Sequence, residues 1–241
     1  MPALPTALVT GASRGIGRAV ALRLAATHRV LAAARDAAEL ASLAAEVAAA
    51  GGACEALPLD VADPAALAAA LAGRDVDVVV HNAGVGVLKP LLELDPADWH
   101  RMVDVNVNAL YHVTRAVLPG MVARGRGDVV LVGSIAGRSA FAGGAGYAAT
   151  KWFVNGFAES LMLEVRNAGV RVSVVSPGSV DTHFNGKAPD PRRPGGRLDA
   201  DDVAAAVAAV VAAPPEVLLH RVEVRILSPN RARHGGGEGR A

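Results

Sequence analysis

Cysteine is almost absent from this chain: Cys54 stands alone between Gly52-Ala53 and Glu55. One cysteine cannot close an internal disulfide. No metal-ligand spacing surrounds it, so no metal site is expected and Cys54 reads as a small buried hydrophobe. Aromatic residues make up only 3% of the chain, so a substrate pocket is expected to be lined mostly by aliphatic groups. An excess of charge is missing too. At a net +1 over 241 residues there is no electrostatic case for a nucleic-acid or membrane-surface partner. No apolar run reaches the ~20 residues of a bilayer span. Met1 to Val9 lacks the basic region and long apolar run of a signal peptide. The expectation is a soluble cytoplasmic protein. The histidines, His100, His112 and His183 among them, form no cluster with acids or cysteine.

What the chain does have is an alternation of short β-branched runs and alanine-rich helical segments. Thr6-Ala7-Leu8-Val9 reads as a first strand, Arg29 to Ala34 as a second, Ala53 to Leu59 as a third and Val76 to Val80 as a fourth. Helical patterns stand between them, such as Ala37 to Ala50, which stops at Gly51-Gly52. Asp63-Pro64 has the cap-then-proline form of a helix start. A long helix is expected over Pro96 to Leu118. A fifth strand follows Gly127, a helix runs from Gly146 to Val165, and a sixth strand from Val170 to Val175. Asp199 to Ala213 reads as a last helix and Arg221 to Leu227 as a seventh strand. The pattern argues one α/β domain over residues 1–229, a doubly wound parallel sheet with helices on both faces. The polar, Pro/Gly-rich stretch 183–197 is expected to act as a substrate lid, and 230–241 as a disordered tail.

Between the first strand and the first helix lies Thr10-Gly11-Ala12-Ser13-Arg14-Gly15-Ile16-Gly17. Glycines there let backbone approach a phosphate, and the helix start offers free N–H groups and a positive dipole. The spacing is G-x-x-x-G-x-G, not the commoner G-x-G-x-x-G. The second strand ends at Ala34-Arg35, where an acid would hold a ribose 2′-hydroxyl and an arginine suits a 2′-phosphate. Arg14 is a second cation for that phosphate, so NADP(H) is favoured over NAD(H). The alternative is that Arg35 sits in a solvated turn and Asp36 caps the next helix. Asp60 either meets the adenine or starts the turn before Asp63-Pro64. His81-Asn82-Ala83-Gly84 ends the fourth strand with small residues that can lie against a ligand. Asn106, in mid-helix, is either a satisfied core amide or a point where the helix opens to a water.

Ser134 follows the apolar run Val129 to Val132. Tyr147 and Lys151 are four residues apart, on one face of a helix. An ammonium near the phenol favours phenolate and lowers the tyrosine pKa. Such a tyrosine could exchange a proton with an alcohol oxygen.

Taken together, Thr10-Gly11-x-x-x-Gly15-x-Gly17, Asn82-Ala83-Gly84, Asn106, Ser134, Tyr147-x-x-x-Lys151 and Pro177-Gly178 resemble the classical short-chain dehydrogenase/reductase family across about residues 5 to 229. The resemblance implies a Rossmann-type sheet and an NAD(P)(H)-dependent oxidoreductase acting on a small carbonyl or alcohol. It implies Tyr147 as general acid/base, with Ser134 on the substrate oxygen. Lys151 would lower the tyrosine pKa and hold the nicotinamide ribose, and Asn106 would support a water in the proton relay. For the cofactor it implies the loop Gly11, Ser13, Arg14, Gly15, Ile16 and Gly17, with Arg35 at the phosphate and Asp60 and Val61 at the adenine. Asn82, Ala83 and Gly84 would line its path, and Pro177, Gly178, Val180 and Thr182 would close on the nicotinamide. A homodimer or homotetramer is implied, with the helices 96–118 and 146–165 as contact surfaces. One departure is His81, where the family often has asparagine. It reads as a structural substitute with its own backbone hydrogen bond. The rivals are epimerisation or dehydration on the same scaffold, and a dinucleotide-binding sensor without activity.

Overall fold

A computed structural model of the chain describes residues 4–182, 184 and 197–227. Seven parallel strands form one sheet: β1 (Thr6–Thr10), β2 (Arg29–Ala34), β3 (Ala53–Pro58), β4 (Val78–His81), β5 (Gly127–Val132), β6 (Val170–Pro177) and β7 (Arg221–Val224). Their order is β3-β2-β1-β4-β5-β6-β7. The chain winds outward from β1 in both directions, which makes the β1/β4 boundary the switch point where such sheets bind ligands.

The strands are valine-rich because both faces are covered. Ala7 and Val9 of β1 pack with α1 (Gly15–Leu24), α2 (Ala37–Ala49) and α7 (Ala200–Val211). Leu8 points the other way, to α3 (Pro64–Leu71), α5 (Ala109–Arg124) and α6 (Ala145–Val165). Acidic residues start the helices as expected. Asp63 accepts from the Ala65 and Ala66 amides (2.9 and 3.1 Å), and Asp36 from Glu39 (3.1 Å).

Several boundaries differ from the sequence reading: β4 runs Val78–His81 rather than from Val76, β7 stops at Val224 rather than Leu227, and two further differences lie nearer the site. The long helix is not continuous: α4 (Pro96–Val103) passes into a π-helical turn, Asp104–Asn108, before α5 resumes and runs on to Arg124. Propensity does not mark such a turn, which inserts a residue to re-aim the helix face. β6 continues through Pro177, whose missing N–H matters little at a strand end. The expected lid at 183–197, except Phe184 and Arg197, and the tail beyond Leu227 lie outside the described residues.

Candidate active site

Thr10, at the end of β1, ties the switch point together. Its hydroxyl donates to the Val80 carbonyl (3.3 Å) and accepts from the Asn82 and Ala83 amides (both 3.1 Å). Asn82 Nδ2 donates back to the carbonyls of Thr10 (3.0 Å) and Gly11 (3.2 Å). The amide of Asn82 therefore braces the glycine loop, while Ala83 and Gly84 lie along the crevice. A Cβ added to Gly17 would stand 2.2 Å from the Gly11 carbonyl oxygen and 2.4 Å from Asn82 Nδ2. At Gly15 it would meet Thr182 at 3.4 Å, so the segment after β6 reaches the loop.

Arg14, in extended conformation, precedes α1 without a side-chain cap, leaving the first N–H groups of α1 open to an anion. Arg35 follows β2 as an exposed side chain, and among the described residues neither arginine has an ion-pair partner. Asp60 Oδ1 accepts from the Ala62 amide (3.0 Å), so this carboxylate does build the turn before α3. Val61 beside it is buried. A loop whose Gly11 and Gly17 leave no room for a Cβ, an uncapped helix start and two guanidinium groups without an ion pair among the described residues fit a phosphorylated dinucleotide.

The second wall carries the reactive groups. β5 ends just before Ser134, whose hydroxyl accepts from the Ala136 amide (3.1 Å). Tyr147 and Lys151 are both buried on α6. Lys151 Nζ lies 5.9 Å from the Tyr147 ring centre and donates to the Val132 carbonyl (3.0 Å). Burial pulls its pKa down to about 8. Here one expectation is corrected. Burial pushes the Tyr147 phenol up, not down, with the Ser134 hydrogen bond opposing. Lys151 does not reverse this, because its ammonium is turned to the β5 carbonyl.

Asn106, in the π-turn, is a fully engaged core amide. Oδ1 accepts from the Val85 amide (2.9 Å), and Nδ2 donates to the Val85 carbonyl (2.8 Å) and Thr150 Oγ1 (2.9 Å). Thr150 in turn donates to the Tyr147 carbonyl (2.8 Å). The turn thus clamps the segment that follows Gly84 to the helix carrying Tyr147. Gly84 sits where the two walls meet: a Cβ there would be 3.4 Å from Asn106 Oδ1 and 3.8 Å from Lys151 Nζ. A cavity of about 10 Å³, lined by Thr10, His81, Asn106 and Lys151 among others, lies beside them. That is about the room one water needs.

His81 is structural, as expected, but its partner is a side chain. One ring nitrogen, Nε2, bonds Thr114 Oγ1 at 3.0 Å, not a backbone group. Burial drives its pKa to about 3, so it stays neutral. Gly178 donates to the Val224 carbonyl (2.8 Å), Pro177 is buried, and Val180 bridges to Leu198. Sequence reasoning gave no role to Thr10 or Thr150, although both sit inside the motifs. It also missed Phe184, whose ring lies against Tyr147, so the pocket wall is not wholly aliphatic. No local pattern marked that residue. His183 and residues 185–196 lie outside the described residues.

Residues 5–193 match the family model described as short chain dehydrogenase. The NADP-dependent 3-hydroxy acid dehydrogenase of Salmonella typhi is 40% identical over 180 residues, covering 72% of this chain and 71% of the relative. The 3-oxoacyl-[acyl-carrier-protein] reductase of Escherichia coli K12 is 34% identical over 215 residues, covering 84% and 87%. Among solved structures, a serine dehydrogenase complexed with NADP+ superposes with a TM-score of 0.86 at 33% identity, covering 98% of this chain and 100% of that one. A Brucella melitensis 3-oxoacyl-[acyl-carrier protein] reductase with bound NAD gives 0.82 at 31% identity, covering 93% and 90%. The chain belongs to the short-chain dehydrogenase family and is an NAD(P)-dependent oxidoreductase.

Proposed function

We propose that this protein reversibly reduces a carbonyl compound to an alcohol with NADP(H), using Tyr147 as the proton donor and acceptor. The observation that carries the reading is the meeting of two walls at Gly84: the glycine-loop side with Ala83, and the side bearing Asn106, Tyr147 and Lys151. When bound, the nicotinamide supplies the hydride. The chain does the rest. Gly11, Ser13, Gly15, Ile16 and Gly17 hold the diphosphate, and Asp60 and Val61 border the adenine. Pro177, Gly178, Val180 and Thr182 back the nicotinamide. Ser134 donates to the substrate oxygen and Tyr147 passes it a proton, so the developing negative charge always has a partner. Lys151 holds the ribose. The cavity beside Asn106 has room for the relay water.

The preference for NADP(H) rests on Ala34-Arg35 closing β2 where an acid would serve a 2′-hydroxyl, and on relatives named for or complexed with that cofactor. The test is parallel fluorescence titration with NADPH and NADH. Arg35→Asp should weaken NADPH binding about tenfold or more relative to NADH, the scale of one charge-assisted hydrogen bond. An unchanged ratio would remove Arg35 as the phosphate reader. NADPH binding with no carbonyl turned over would favour the sensor reading.

Large apolar side chains stay exposed on the two long helices: Tyr111 and Val122 on α5, Trp152 and Leu163 on α6, each more than 40% accessible. Such faces mark association surfaces, and a homodimer or homotetramer through them is the assembly proposed. Light scattering should give a multiple of the 24.4 kDa chain mass. A monomer at micromolar concentration contradicts it.

A further inference from the structure

The strands that carry the active site at one end border a second cavity at the other. β1, β4 and β5 end at Thr10, His81 and Val132 beside the crevice, and begin at Thr6, Val78 and Gly127. At these beginnings lies a cavity of about 480 Å³, flanked by the last turns of α1 and α7. That volume is within the range of small-molecule sites. Leu24, Val78, Ala208 and Val211 give it aliphatic walls. Strands of four to six residues are about 13 to 20 Å long, so a small molecule held here does not touch the cofactor crevice.

The charges around this cavity are matched within the protein. Asp128 takes two hydrogen bonds from Arg171 (2.7 and 2.9 Å), and Arg23 pairs with Asp201 (2.6 Å). Asp77 accepts from the Thr6 amide (2.9 Å) and lies 3.6 Å from Arg126. His28 is different. It is only 9% accessible, yet it lines the cavity. Its Nδ1 meets Thr27 Oγ1 at 2.8 Å, and that hydroxyl donates to the Leu24 carbonyl (3.4 Å). Thr27 therefore receives the Nδ1 proton, and Nε2 is left as a bare acceptor. Nε2 has no partner among the described residues. Nor is it sealed in: the enclosed side-chain nitrogens without a partner, among the described residues, are Arg124 Nε and His220 Nε2. The open space beside the ring is this cavity. Burial lowers the His28 pKa, so the ring is neutral at pH 7.

We infer that the cavity is a second binding site, for an uncharged apolar molecule whose hydroxyl or N–H group donates to His28 Nε2. Such a ligand buries carbon against the aliphatic walls and satisfies the open acceptor. Asp77 and Asp128 both act on the His28 ring, so an anion placed at Nε2 would face two carboxylates. A cation would lose its water where each of these carboxylates already faces an arginine. The site does not depend on the carbonyl-reductase reading.

The experiment titrates the full-length protein, saturated with NADPH, with 4-ethylphenol. Ethylbenzene, which lacks the donor, and the charged 4-ethylbenzoate and 4-ethylbenzylammonium are titrated beside it. The His28 ring signals of the isotope-labelled protein read affinity and place together. 4-Ethylphenol should shift the Nε2 signal, with an affinity within about twofold of that for the protein without NADPH. Ethylbenzene should bind about fivefold more weakly, the scale of one hydrogen bond. Each charged analogue should bind about tenfold or more weakly. Ala208→Phe, which fills the cavity, should lose 4-ethylphenol and keep its NADPH affinity. Val211→Phe reads the same loss if the first variant does not fold. An unmoved Nε2 signal, displacement of 4-ethylphenol by NADPH, tighter binding of either charged analogue, or binding retained in the folded phenylalanine variants would overturn the inference.

Discussion

Replacing Tyr147 by phenylalanine is expected to lower kcat on the order of 1,000-fold, the usual loss when a positioned acid/base group is removed. Cofactor affinity should stay nearly unchanged. The ring is retained, so the contacts to Phe184 and to the cluster with Met102 and Ala136 survive. The deleted hydroxyl has Ser134 as its partner, and losing that bond costs only about 1 kcal/mol of stability. A folded variant that binds NADPH and barely turns over would place the proton at this oxygen. Near-normal turnover would remove Tyr147 from the mechanism. The pH profile adds a second reading. The phenol is pushed up by burial, so Tyr147 keeps its proton through the neutral range and is ready to donate during reduction. His81, at about 3, is neutral throughout. Lys151, at about 8, is charged below that value and loses its charge above it. Reduction should therefore be flat across the range where an ordinary histidine titrates, pH ~5 to 7.5, and decline as Lys151 deprotonates. An inflection inside that range would implicate a group outside this account.

Gly17→Ala should be the most damaging single change in the cofactor crevice. The new methyl would lie 2.2 Å from the Gly11 carbonyl oxygen and 2.4 Å from Asn82 Nδ2, far inside contact distance. Neither neighbour can swing away cheaply. The Gly11 oxygen is backbone, and Asn82 Nδ2 is held by two carbonyls, Thr10 and Gly11. The loop must open, and the Thr10–Asn82 lock opens with it. Overpacking of this kind costs about 1–3 kcal/mol. Charged to the cofactor-binding conformation, the upper end of that range lowers NADPH affinity on the order of 100-fold. Titration would show this, with circular dichroism checking that the fold persists. Affinity within about twofold of wild type, a shift below 0.5 kcal/mol, would mean that the loop does not hold the cofactor as described.

The fold was readable because its determinants are local. Valine runs such as Val78 to Val80, the acid-first helix starts at Asp36 and Asp63, and the positive-φ Gly51 and Gly125 where helices end carry their own backbone preference. The positions of Ser134, Tyr147 and Lys151 followed from strand ends and a four-residue helix spacing. What escaped depends on partners distant in sequence. The break at Asp104–Asn108 is fixed by Asn106 reaching Val85 and Thr150, 21 and 44 residues away. The direction of the Tyr147 shift depends on burial and on where Lys151 points, which helix spacing leaves open. Phe184 earns its place only because Gly86 leaves room for its ring.

The most direct test of the central claim is isotope transfer. The protein is mixed with NADPH carrying deuterium at the transferable position of the nicotinamide and with an aryl ketone, and the alcohol is analysed by mass spectrometry. The account predicts an alcohol with deuterium on the carbinol carbon, formed by wild type and almost absent with Tyr147→Phe, although both bind NADPH. Tight NADPH binding by wild type with no labelled alcohol formed would contradict it, and would leave a dinucleotide-binding protein without reductase chemistry.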